Sequence, residues 1–184
     1  MIISEENPVC RACGGPLYTY DHKKRVHKKA GGIKEWYLIP RMRCADENCE
    51  CQTLHSALPD NLCANKHYDA GLIEDVVEGV VTSDDSETEN YPCEDTMKNW
   101  KAWIAGNTTN IDGQLRSFGH RLLEFSVEFL NDSRSLLQEL RTRISPGWLK
   151  AVSWLLYNHG HRITPLGRLK TTHPLFFAVN GETG

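Results

Sequence analysis

The sequence predicts an α+β chain: a small cysteine-bearing β-hairpin, then a helical pair, then a helical bundle. Three observations predict it. Two cysteine pairs, Cys10-x2-Cys13 and Cys44-x4-Cys49, lie a hairpin's length apart. The runs between them alternate like strands and meet at Ala30-Gly31-Gly32. From residue 67 onward, apolar residues recur at helical spacing. These cuts divide the 184 residues into 1–66, 67–107 with an acidic loop at 82–90, 108–160, and a tail, 161–184.

In the first segment, Leu17–His27 and Ile33–Arg43 read as the two strands, and pairing them returns Cys44 and Cys49 to Cys10 and Cys13. A C-x2-C loop lets two thiolates reach one tetrahedral ion, and the glycines after Cys13 permit the tight turn this needs. The layout is that of a zinc ribbon, with Cys10, Cys13, Cys44 and Cys49 as ligands of Zn2+ and a folding role for the metal. Cys51 is an alternative to Cys49, and free buried thiols or a redox pair are alternatives to the metal. Cys51-x3-His55 and Cys63-x3-His67 form a second, weaker metal pattern, for which unpaired cysteines and ordinary histidines are the simpler account. Tyr18, Tyr20, Trp36 and Tyr37 are expected in the core of this small unit.

The stretch His22–Lys29 holds Lys23, Lys24, Arg25, Lys28 and Lys29, which makes the hairpin tip the most basic place in the chain. A solvated turn would look the same. Phosphate contact is the functional alternative, since Lys and Arg that displace counterions supply most non-specific DNA affinity.

In the second segment, residues 69–81 read as a short helix with the stripe Leu72, Val76, Val77 and Val80, and residues 94–105 as a tryptophan-rich helix. Met97, Trp100 and Ile104 share one stripe of the latter, with Trp103 at its border, while Lys98, Asn99 and Lys101 face elsewhere. A recognition helix of a helix-turn-helix has this division, with Asn suited to adenine and Lys to guanine or phosphate. An ordinary amphipathic helix has it too. Three further helices are expected at about 111–131, 134–144 and 147–159, packed as an antiparallel bundle around Phe118, Leu122, Phe125, Phe129, Leu136, Leu140, Trp148, Val152 and Leu155. Leu123, Leu130, Leu137, Leu149 and Leu156 are surplus to so small a bundle and predict either a homodimer surface or packing on the ribbon. In the tail, Phe176-Phe177 is expected to dock back on a core.

The net charge of −3 is a poor guide to partners. It sums +2 over residues 1–66, −10 over 67–97 and +5 over 98–184, so two basic parts flank one acidic insert. The absence of an apolar run near ~18 residues predicts no membrane contact. Glu5 and Glu6 in a polar N-terminus predict no signal peptide, and the odd count of seven cysteines predicts a reducing, cytoplasmic setting. Neither G-x-S-x-G nor G-x-x-x-x-G-K-[ST] occurs, and the acids after Gly106 space out along amphipathic helices, so no enzyme is expected.

Cys10-x2-Cys13, Arg43-Cys44-x4-Cys49, His55-x2-Leu58-Pro59-Asp60, Tyr68, Ile73-Glu74 and the run Pro92–Trp103 together resemble a bacterial family whose members look like transposase N-terminal regions. The resemblance covers roughly residues 8–105 and implies a zinc ribbon followed by a helix-turn-helix, near mobile elements. The family's second helix typically reads Ser-x-x-Thr-Ile-x-Arg-Trp. Thr96 and Trp100 match it, Met97 stands for the Ile and Asn99 for the Arg. The expectation is a non-catalytic, zinc-stabilised protein that binds double-stranded DNA as an accessory or regulator of a mobile element. The alternative is an inhibitor or adaptor whose acidic 67–97 segment docks on a partner's basic nucleic-acid channel.

Overall fold

The computed structural model describes residues 9–10, 12–50, 54–85, 92–122, 135–158 and 163–164, the side chains of 118–122 excepted. Strand β1, Leu17–Lys28, pairs antiparallel with β2, Lys34–Cys44, from Leu17↔Cys44 to Lys28↔Lys34, with an irregularity between Thr19 and Asp21. A short β3, His55–Ser56, adds to the other edge of β2. The turn is Ala30–Gly32, where Gly31 and Gly32 take φ of 71° and 73°, backbone that a side chain would strain.

One face of the hairpin is tied to the rest of the chain by a buried histidine. His27, 0% exposed, meets Asp69 Oδ2 through Nε2 at 2.8 Å and the Tyr37 hydroxyl through Nδ1 at 3.0 Å. Asn61 donates to the same hydroxyl at 3.0 Å. Backbone bonds continue the join, from Lys28 N to His67 O and from Asp69 N to Lys28 O. Tyr18, Tyr20 and Trp36, expected in a core, are instead exposed. The cluster at this end is made of Cys10, Cys44 and Cys49 with Leu17 alone, so it has no need of large aromatic side chains. Tyr37 is the exception, half-buried and bonded to His27.

Asp69 also starts helix α1, Ala70–Glu78, by accepting the Gly71 N–H at 2.8 Å. Gly79, at φ 79°, ends it short of the expected residue 81, which leaves Val80 exposed. Helix α2 runs unbroken over Glu94–Leu122 where two helices and a break were expected. The reason is remote: Asn107, buried in mid-helix, donates to Trp103 O and Thr164 O, and its Oδ1 accepts the Thr164 N–H. Polar groups that would favour a turn are satisfied by a distant strip of chain.

Helix α3, Leu136–Arg143, is capped by Ser135 and by Asp112 of α2, whose Oδ1 accepts the Leu137 N–H at 2.8 Å. Helix α4 spans Trp148–Asn158. One apolar cluster joins all four helices, from Cys63 through Ile73, Trp100, Trp103, Ile111 and Leu136 to Trp148, Leu156 and Ile163. Leu137, Leu149 and Leu156, three of the five leucines called surplus, are buried in it. Leu123 and Leu130, the side chains of Phe118 and Leu122, the expected Phe125, Phe129 and Phe176-Phe177 contacts, and most of the acidic loop lie outside the described residues. Among those described, no helix is long and apolar enough to cross a membrane.

Candidate functional site

The four cysteines come together at the open end of the hairpin. Cys10 N donates to Gly15 O at 2.7 Å and Gly14 N to Cys10 O at 2.8 Å, with Gly14 at φ 73°. A Cβ on Gly15 would stand 3.2 Å from Cys13 Sγ, so this glycine leaves the sulfur its room. The longer second knuckle closes through Asp46, whose Oδ1 accepts the Asn48 N–H and whose carbonyl accepts the Cys49 N–H. Ala45 N donates to Pro16 O and so locks one knuckle to the other.

All four sulfurs lie within 4.8 Å of one another, close enough to hold a metal ion. Cys10 and Cys49 are 3.8 Å apart and Cys13 and Cys44 3.4 Å, with none of the four in a disulfide. Backbone N–H groups of Cys13 and Ala12 lower the Cys10 thiol pKa, and that of Gly15 lowers Cys13. The first knuckle therefore favours thiolate, the form that ligates. Cys44 moves the other way: the Asp46 N–H favours its thiolate, but burial and the Cys13 and Cys10 sulfurs outweigh this and raise it. His55 Nε2 stands 3.9 Å from Cys10 Sγ, a neighbour that the spacing had assigned to a different pattern.

The described members of that second pattern do not form a cluster able to hold an ion. Cys51 lies outside the described residues, His55 sits by Cys10, and Cys63 is buried in the helical core beside the Ser153 hydroxyl at 3.2 Å. Among the described residues the four-cysteine group is the one cluster able to hold an ion.

The basic run lies along β1 as far as Lys28, with Lys29 alone at the turn, and it divides by function. Arg25 donates to the carbonyls of Cys63 and Lys66, so it is a strut between hairpin and helices. Lys29 pairs with Glu35 at 2.6 Å, which raises its pKa, and Lys28 lies over the Tyr68 ring. Lys23 and Lys24 stay exposed, Lys24 over the Trp36 ring at 4.6 Å. On α2, Lys98, Asn99 and Lys101 are all exposed, while Met97, Trp100, Trp103 and Ile104 are buried on the opposite side. Lys98 pairs with Glu94 one turn earlier at 2.7 Å, a solvent-screened surface contact that adds little to stability. The connection between α1 and α2, residues 79–93, far exceeds the about three or four residues of a tight helix-turn-helix.

Several acids of the 67–97 segment work inside the fold. Asp69 holds His27 and Glu94 holds Lys98. Glu78 accepts from Arg141 and from the Trp148 indole. Glu74, 3% exposed, accepts the N–H groups of Gly147 and Leu149.

Residues 10–100 match a family described as a domain of unknown function (DUF6431). No curated protein and no solved structure matches the chain.

Proposed function

We propose that this chain is a non-catalytic, zinc-stabilised DNA-binding protein, an accessory or regulator of a bacterial mobile element. Zinc suits the four-thiolate set: sulfurs each about 2.3 Å from a tetrahedral ion stand roughly 3.8 Å apart, and Cys10–Cys49 has that separation. A closed set of four protein ligands favours folding over hydrolysis. In this reading the metal holds the hairpin on which Lys23 and Lys24 present charge.

The observation that carries the proposal is the two-sided α2. Its apolar side is fixed in the core, which holds Lys98, Asn99 and Lys101 outward as a rigid row. Asn99 is suited to an adenine edge, and Lys98 and Lys101 to guanine or phosphate. With α1 as supporting helix, α2 acts as the reading helix of a helix-turn-helix with a long connection. The internal use of Asp69, Glu74, Glu78 and Glu94 leaves the acidic insert less able to oppose DNA than its formal charge suggests.

The test is a gel shift of the zinc-loaded chain on duplex DNA across a salt series. Binding is expected to fall steeply with salt, and the double variant K98A/K101A to lose selected sites while keeping its fold. Unchanged duplex affinity and selectivity in that variant would falsify the assignment of α2.

A further inference from the structure

A groove of about 490 Å³ runs between β1 and the 64–67 connection and lies within the size range of ligand sites. Lys23, Lys24, Trp36, Asn65, His67 and Tyr157 are among its lining residues, and among the described residues no Asp or Glu lines it. Trp36 is 59% exposed, an unusual place for an indole, and Lys24 sits against its ring. Arg25 already serves the carbonyls of Cys63 and Lys66, which fixes the wall and leaves Lys23 and Lys24 as the cations on offer.

We infer that this groove binds single-stranded nucleic acid, with an unpaired base against Trp36 and its flanking phosphates on Lys23 and Lys24. The inference rests on the nucleic-acid reading above and adds a second surface to it. A flat aromatic face with Lys24 against it, Lys23 lining the same groove and no acid among the described lining residues matches a ligand that carries a π-face and phosphate on one backbone. In a duplex the base faces are covered by their neighbours, so Trp36 can meet only an unpaired base. An acidic peptide would neutralise the lysines and leave the indole in water.

The experiment is fluorescence anisotropy of a labelled oligothymidylate with the zinc-loaded full chain. W36A is expected to weaken binding about 5- to 150-fold, the range of one lost base–aromatic stack, while W36F retains most of it. K23E/K24E is expected to weaken it and flatten its salt dependence. Trp36 and both lysines are exposed, and unchanged circular dichroism and zinc content verify each fold. K98A/K101A is expected to leave this binding intact, so failure of the α2 assignment and failure of the groove read out separately. Absent oligothymidylate binding, equal affinity in W36A, or equal competition by polyglutamate overturns the inference.

Discussion

Glu74 closes the start of α4 through Leu149: its Oε2 accepts the Leu149 N–H at 2.9 Å, while Oε1 accepts that of Gly147 at 2.6 Å. The first amides of a helix lack partners within it, and here a side chain from α1 supplies them. Both bonds go to a buried carboxylate, the arrangement in which loss is most expensive. Glu74→Ala is expected to lower stability by about 3 kcal/mol in urea denaturation. Glu74→Gln, which keeps one accepting oxygen, should lose less. Equal stability of Glu74→Ala and the parent chain would remove this cap from the account.

Metal removal should act on one end of the molecule. The cluster of Cys10, Cys44, Cys49 and Leu17 shares no buried residue with the one built from the helices. Chelation is therefore expected to release one zinc per chain and open the knuckles, with most of the helical circular dichroism retained. Cys44→Ser should do the same without chelator. Loss of helix in step with zinc would show that the helical core depends on the ribbon.

The remaining thiols should separate by reactivity. Cys93 is exposed just ahead of α2, and the Thr96 side chain and N–H lower its pKa. Burial pushes Cys63 up to about 11 from 9.0. With zinc bound at pH 8, iodoacetamide should modify Cys93 well before Cys63, as read by mass spectrometry.

The same shift has a sign for stability. Above pH 9 the unfolded Cys63 thiol loses its proton while the folded one keeps it up to about 11, so stability falls across that interval. Lys66, lowered by burial, pulls the opposite way over part of this range. The check is thus the difference between the parent and Cys63→Ala: the variant should show the shallower alkaline decline. A parallel decline in both would exclude Cys63 as its source.

Local pattern made much of this structure legible. The cysteine spacing and the Gly31-Gly32 turn located the hairpin to within a residue or so, with strands at 17–28 and 34–44 against 17–27 and 33–43. The exposed and buried sides of α2 followed from periodicity alone. What escaped depends on partners far off in the chain. The gap expected between helices ending at 105 and starting at 111 closes once Thr164 stands beside Asn107, and Arg25 reads as a phosphate ligand until the carbonyls of Cys63 and Lys66 surround it. Trp36 escaped for a different reason: its hydrophobicity predicts burial, and only the architecture shows that the described residues leave it exposed.

The long α2 gives the matched family region an unexpected property. That region stops at residue 100, inside the second turn of a helix that continues to residue 122. A fragment cut there would hold Trp100 at a frayed end, lack Trp103, Ile111 and Leu115, and keep Glu74 with no helix to cap. The matched segment is thus not one that can be lifted out of this chain intact. In this chain the residues beyond 100 supply both the apolar lid and the amides that Glu74 holds, so a boundary drawn at the family match cuts through the core.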